Sequence, residues 1–296
     1  MGKSPTGSAV LIAGLGVECD AHIGGERQVS LLAQESINKG IASGVELSPG
    51  DFGENLTIEG MDLLSNGTGW RFFAGNEAIL QISGIGKVCH HPCSIGQRLG
   101  DCIMPREGVF AKVIRGGTVY PGDSVEVTAM KVGAVMTSSD RCASGERRDE
   151  SGRLLVDLLQ ELGIAVVNYS ILPDEETELS AKMKFLADRQ ALDIILTTGG
   201  TGLSPRDHTP EATQSILDAP SPGISEAIRQ EGMKHTLFAC LSRGVSGLRG
   251  RTLIINLPGS RRAIEESSPL LRSIIPHALE ILRAEISDCG IVHERP

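Results

Sequence analysis

The stretch Ile194-Ile195-Leu196-Thr197-Thr198-Gly199-Gly200-Thr201-Gly202-Leu203-Ser204-Pro205-Arg206-Asp207-His208-Thr209-Pro210-Glu211 decides the fold of half this chain. Ile194–Thr198 is a short apolar run stopped by glycine, the pattern of a strand buried on both faces of a parallel sheet. The glycines let backbone N–H groups approach a ligand closely. Thr209-Pro210-Glu211 reads as a helix start, with Thr as N-cap and Pro in the first turn. A strand, a glycine loop and a helix start together make an anion cradle. No Gly-Lys-Ser/Thr follows, and the Gly-x-Gly-x-x-Gly spacing is missing, so this is neither a Walker loop nor a dinucleotide fingerprint. The glycines alone are equally compatible with a sharp turn that binds nothing.

Working outward from this stretch, Val132–Thr137 is a second apolar strand and Ser138–Glu150 a polar loop. Leu154, Leu155, Leu158, Leu159 and Leu162 recur at helical spacing and stop at Gly163. Ile164–Leu172 and Arg251–Leu257 read as further strands, and Thr177–Arg189 and Arg262–Arg283 as helices. Strands alternating with helices predict an α/β three-layer domain with a mostly parallel sheet, over residues 130–296. Such sheets bind ligands at the carboxyl ends of their strands. Asp140, Asp174, Asp207 and Pro258-Gly259-Ser260 all fall just beyond strand ends. Asp174 and Asp207 can hold Mg²⁺, which takes hard oxygen ligands and bridges phosphates. Helix N-capping is the alternative role for each.

Residues 1–129 read differently. Turn signals recur at Ser48-Pro49-Gly50-Asp51, Asn66-Gly67, Gly116-Gly117 and Pro121-Gly122-Asp123. Between them lie the strand-like runs Ala78–Ile82, Val109–Ile114 and Ser124–Val127, the last two expected to pair antiparallel. One helix is expected at Ser30–Lys39, ending at Gly40. A compact, mostly-β barrel fits this pattern. Cys89, His90, His91 and Cys93 suggest zinc, but the second Cys-x₂₋₄-Cys pair of a structural site is missing. Buried, inert thiols are the other reading.

Composition narrows the function. The 296 residues carry a formal net charge of −9 and only 3% aromatic residues, which argues against nucleic-acid binding. No apolar run reaches membrane-spanning length, and no signal peptide opens the chain. Gly2 and Thr6 fit a loose myristoylation pattern that nothing else supports. Seven cysteines without a secretory signal read as reduced thiols in a cytoplasmic protein.

Two resemblances sharpen the reading. Thr137-Ser138-Ser139-Asp140-Arg141, Leu172-Pro173-Asp174-Glu175, Thr197–Gly202, Pro205–Thr213, Leu241-Ser242-Arg243-Gly244 and Asn256–Ser260 closely resemble, in order and spacing, the MogA/MoaB family of molybdenum-cofactor biosynthesis proteins. The resemblance implies that Thr198, Gly199, Gly200, Thr201, Gly202, Ser138, Asp140, Pro258, Gly259 and Ser260 bind molybdopterin. It also implies that Asp174 and Asp207 serve adenylyl transfer from ATP with Mg²⁺.

Gly16–His22, Arg27–Leu32, Pro49–Leu56, Gly86–Cys93 and Gly100–Val113 look like a MOSC domain, the family related to the C-terminal part of molybdenum-cofactor sulfurases. This implies a barrel with Cys93 as its functional thiol, carrying a persulfide or ligating molybdenum. Lys87, His91 or Arg106 would favour the thiolate. The loops of Asp51, Asn55 and Arg106 would line a pocket for the molybdenum cofactor, and pyridoxal phosphate binding stays open. Cys19 stands where that family usually has glycine. The family's usual first strand is missing, so either the barrel is incomplete or the start is misplaced.

The combined expectation is a molybdopterin adenylyltransferase fused to a MOSC domain. Molybdopterin synthase, a molybdenum insertion protein and a sulfur donor are the implied partners, and a homo-oligomer, a trimer, is implied by resemblance. Two alternatives stand: a protein that binds and delivers molybdopterin without catalysis, and a molybdenum-dependent reductase of N-hydroxylated compounds.

Overall fold

A computed structural model describes residues 2–41, 46–65, 67–87, 102–128 and 130–283. The chain divides into two compact units, 1–129 and 130–296.

The first unit contains β1 (Ala9–Ile12), β2 (Gly16–Val17), β3 (Val29–Ala33), α1 (Gln34–Ile41), β4 (Leu56–Ile58), β5 (Arg71–Ala74), β6 (Ala78–Ile85), α2 (Met104–Glu107), β7 (Val109–Arg115), β8 (Gly117–Val119) and β9 (Val125–Thr128). Its strands form a three-stranded sheet, β2-β1-β8, and a six-stranded sheet, β4-β3-β7-β6-β5-β9. All pairs are antiparallel except β3 with β4. Among the described residues the pairing is of two open sheets, not one closed barrel. Leu11, Val29, Leu31, Phe72, Leu80 and Val113 lie in its core.

Two expectations change here. Ser30–Ala33 is strand, and the helix starts only at Gln34. The reason is local: Ser30 donates its N–H and hydroxyl to Asn55 Oδ1 (2.9 and 2.8 Å), which holds it extended and turns Val29 and Leu31 into the core. The runs at Val109 and Ser124 are not neighbours either. β7 pairs with β3 and β6, and β9 with β5. The short strand β8 intervenes in the chain and pairs with β1 in the other sheet.

The second unit contains β10 (Lys131–Ser138), α3 (Asp140–Ala143), α4 (Ser151–Glu161), β11 (Ile164–Leu172), α5 (Glu176–Lys184), β12 (Ile194–Thr198), α6 (Thr209–Gln214), β13 (Ala219–Pro220), α7 (Pro222–Met233), β14 (Ser246–Arg249), β15 (Thr252–Leu257) and α8 (Arg261–Leu282). The sheet order is β11-β10-β12-β15-β14-β13. The first four strands are parallel and the last two antiparallel, so the sheet is mixed. Every residue of β12 is buried, as its unbroken apolar run requires. Val135, Leu196 and Ile255 pack against Leu155 and Leu159 of α4 and Ile264 and Leu271 of α8 on one face. On the other face Asn256 donates to Thr197 Oγ1 and to Thr213 Oγ1 of α6, both at 2.9 Å.

Candidate anion site at the strand ends

Parallel register brings Ser138, Thr198 and Leu257 to one rim, since Thr137 pairs with Thr198 and Thr198 with Leu257. The loops leaving these ends interlock. Thr198 donates its hydroxyl to Pro258 O (2.7 Å), and Ser151 donates to Gly259 O (2.8 Å). A Cβ on Gly259 would stand 3.0 Å from Gly199 Cα, so the two glycine loops touch through backbone. Ser260 caps the 22-residue α8, accepting from Ala263 N–H (3.2 Å). The partly positive start of that helix therefore faces the rim.

Gly199 and Gly200 have φ of +90° and +60°, conformations that favour glycine. A Cβ on Gly200 would stand 2.4 Å from Thr209 Oγ1, 2.7 Å from Asp174 Oδ1 and 3.0 Å from Ser138 Oγ. Three oxygens from three loops thus converge on one backbone position. Thr209 Oγ1 is buried without a hydrogen-bond partner. Thr209 was expected as the N-cap of α6. Instead it lies inside the helix, with His208 as the cap residue, and its N–H donates to Gly200 O (3.1 Å). The glycine loop has claimed it.

The carboxylates flank this loop. Asp174 accepts from Ser138 Oγ (2.5 Å) and Asp140 N–H (3.3 Å). Asp207 Oδ2 accepts from Ser204 N–H (3.0 Å), and a Cβ on Gly202 would stand 2.8 Å from it. Asp174 therefore abuts Gly200, and Asp207 abuts Gly202. Asp140 is exposed. Its carboxyl is held below the usual range by the Asp174 N–H and then by Arg206, whose Nη2 donates to both its oxygens at 2.9 Å. Arg206 Nη1 also donates to Glu175 (2.8 Å).

Two further groups hold the site together: Arg243, from the Leu241–Gly244 motif, and Asp149, from the polar loop after β10. Arg243 is a clamp on the glycine loop. Its Nε donates to Gly202 O and its Nη2 to Asp207 O, each at 2.6 Å. Its own N–H donates to Thr201 O (2.8 Å), and it pairs with Glu211. Asp149 is buried and accepts from Thr137 Oγ1 (2.5 Å), Tyr169 OH (2.6 Å) and Gly152 N–H (2.9 Å), fixing the start of α4. Burial first, and then the Asp149 carboxylate, push the Tyr169 phenol well above its ordinary value. An arginine beside a glycine was the available signal for Arg243; for Asp149 there was none.

In the first unit, Asn55 spends its amide inside the fold, accepting from Ser30 and donating to Asp20 Oδ2 (2.8 Å). Asp51 closes a turn by accepting from Ser48 N–H (2.8 Å). Arg106 is exposed on α2. Cys93, with Cys89, His90 and His91, lies outside the described residues. Cys19 adopts φ +62°, the conformation glycine takes most easily, and is exposed.

A mixed, mostly parallel α/β sheet with interlocked glycine loops and two carboxylates at its rim is an architecture suited to binding a phosphorylated ligand. Comparison with known proteins gives the family. Residues 134–277 match a model described as "Probable molybdopterin binding domain", and residues 18–126 match the MOSC domain. The chain is 35% identical over 150 residues to the molybdopterin adenylyltransferase of Helicobacter pylori, covering 50% of this chain and 85% of that one. It is 41% identical over 154 residues to the molybdenum cofactor synthesis protein cinnamon of Drosophila melanogaster, covering 52% of this chain and 26% of that one. Among solved structures, the molybdopterin biosynthesis enzyme MoaB of Thermus thermophilus matches with a TM-score of 0.50 and 43% identity, over 52% of this chain and 98% of that one. The chain belongs to the MogA/MoaB-type molybdopterin-binding family and carries a MOSC domain ahead of that half. It spans about a quarter of the Drosophila protein and about half of a Synechococcus elongatus bifunctional cofactor-biosynthesis protein, at 26% and 49% of their lengths. Among the described residues no helix is long and apolar enough to cross a membrane.

Proposed function

We propose that the second unit is a molybdopterin adenylyltransferase. In this reaction the terminal phosphate of molybdopterin attacks the α-phosphorus of ATP. The new bond is a phosphoanhydride, the α–β bond breaks, and pyrophosphate leaves. The observation that carries this reading is the convergence at Gly200: Asp174, Ser138 and the unpartnered Thr209 hydroxyl crowd one backbone position that leaves no room for a side chain. No protein nucleophile is needed; positioning and charge neutralisation are what the chain supplies.

The donor set fits Mg²⁺. Two carboxylates flank one glycine loop, and magnesium is commonly held by one or two carboxylates, with phosphates and water completing its shell. When bound there it would neutralise charge on the phosphates. The N–H groups of Gly200–Gly202 and Gly259–Ser260 would hold the pterin phosphate, with Thr198 and Pro258 fixing the loops to each other and Gly199, whose N–H donates to Leu257 O (3.3 Å), anchoring the start of the loop. Arg243 keeps the Gly202–Asp207 segment in place. Asp140 acts through Asp174, whose N–H it accepts at 3.1 Å.

In the first unit, Cys93 would carry sulfur or contact molybdenum, while Asp51, Asn55 and Arg106 shape its loops. A sulfur donor, molybdopterin synthase, a molybdenum insertion protein and a trimeric assembly belong to the same proposal. The test is mass spectrometry of the pterin bound after incubation with molybdopterin and MgATP. Adenylyl-molybdopterin is the expected species; unmodified molybdopterin alone would instead support a delivery protein.

A further inference from the structure

The first unit carries an open cleft of about 1200 Å³ between residues 3–9, the loop 49–62 and the turn 119–125. Its ionisable lining is one-sided: Glu18, Asp20, Glu54, Glu59, Asp62 and Asp123 against Lys3. Lys3 is already engaged, its Nζ lying 2.7 Å from Asp20 Oδ2. Burial disfavours the Asp20 charge, but the Lys3 ammonium, the His22 N–H and the Asn55 amide outweigh it and hold the carboxyl well below its usual range. No other lysine or arginine lines the cleft among the described residues. An acidic lining of this kind attracts cations and repels phosphates, so it disfavours the phosphate end of molybdopterin.

Glu54 supplies a second, independent observation. It is only 3% exposed. Its Oε1 accepts from Gly50 N–H (2.6 Å) and Thr57 Oγ1 (3.2 Å), which fixes the side chain against the loop. Its Oε2 is buried and has no partner. An orphaned carboxylate oxygen is costly, and the cost is relieved when a donor arrives. The single unpartnered oxygen calls for one donor, which an N–H group supplies.

We infer that this cleft binds a small organic cation with N–H donors, an alkylammonium or a guanidinium, on Glu54 Oε2. The site is additional to adenylyl transfer and does not depend on it.

Agmatine, which carries an ammonium and a guanidinium, is the probe. Calorimetric titration of the full chain at low ionic strength should show saturable binding. In Glu54→Gln the affinity should fall about 10-fold or more, the scale of a hydrogen bond to a charged group. If that variant does not fold, hydrogen exchange of the wild-type chain decides: agmatine should protect segments 3–9 and 54–62. Absence of agmatine binding, unchanged affinity in folded Glu54→Gln, protection confined to other segments, or uptake of inorganic phosphate in this cleft would each overturn the inference.

Discussion

Replacing Gly200 by alanine puts a methyl group where three oxygens already converge. Two costs add. A non-glycine residue in the left-handed region costs roughly 1–2 kcal/mol. The methyl would lie 2.4 Å from Thr209 Oγ1 and 2.7 Å from Asp174 Oδ1, so the Ser138–Asp174 bond must stretch or break. Losing a hydrogen bond to a charged group costs about 1.5–3 kcal/mol. The sum is about 2.5–5 kcal/mol, or roughly 5–20 °C in Tm for a unit of this size. Gly145 is the internal control: its φ is +80°, but nothing lies within 4 Å of its Cβ position. Gly145→Ala should therefore cost only the backbone share, about 1–2 kcal/mol. Thermal unfolding and molybdopterin titration of both variants form the assay. Gly200→Ala should lose both stability and molybdopterin affinity; Gly145→Ala should lose a little stability and keep affinity. If the two variants matched in both measurements, convergence at Gly200 would have no functional meaning.

Asp207→Asn should keep the fold and molybdopterin binding but lower adenylylation about 10²-fold or more, the scale of losing one preorganised electrostatic group; wild-type turnover would remove Asp207 from the site. Arg243→Lys keeps the charge but lacks the planar fork that reaches Gly202 O, Asp207 O and Glu211 together, so turnover should fall while net charge is unchanged. Tyr169 has its phenol raised above the unfolded value near 10, so its stabilisation is complete below about pH 10 and fades as pH climbs toward the folded value. Denaturant midpoints of wild type and Tyr169→Phe should then converge only above about pH 10. Cys93→Ser should abolish the chemistry of the first unit and spare adenylylation; a larger loss in Cys89→Ser would move the functional thiol.

The parallel half of the second unit was legible because each element carries its own period. The short apolar runs at Val132, Ile194 and Thr252 end too soon for helices and are buried, Ile164–Leu172 follows the same pattern though only partly buried, and the leucines from Leu154 to Leu162 recur at helical spacing. The edge was harder. Ala219–Pro220 and Ser246–Arg249 are too short and too polar to show a period, and they become strands only through pairing, Ser246–Arg249 with β15 and Ala219–Pro220 with β14. Ser30–Ala33 misled because its fate lies with Asn55, 25 positions away.

The site divides in the same way. Glycines and aspartates placed after strands announce themselves. Arg243 shows only as an arginine beside a glycine, because its three backbone contacts depend on a fold that brings residues 201, 202 and 207 to it. The Gly200 convergence was half visible: the need for glycine could be read, but not which oxygens would meet there.

The central claim is that the second unit transfers an adenylyl group and does not merely hold the pterin. Pyrophosphate release by the full chain, measured with molybdopterin and ATP in the presence of Mg²⁺ and then of a chelator, tests it most directly. The account predicts release that requires both molybdopterin and Mg²⁺ and that disappears in Asp207→Asn. Tight molybdopterin binding without pyrophosphate release under the same conditions would contradict it.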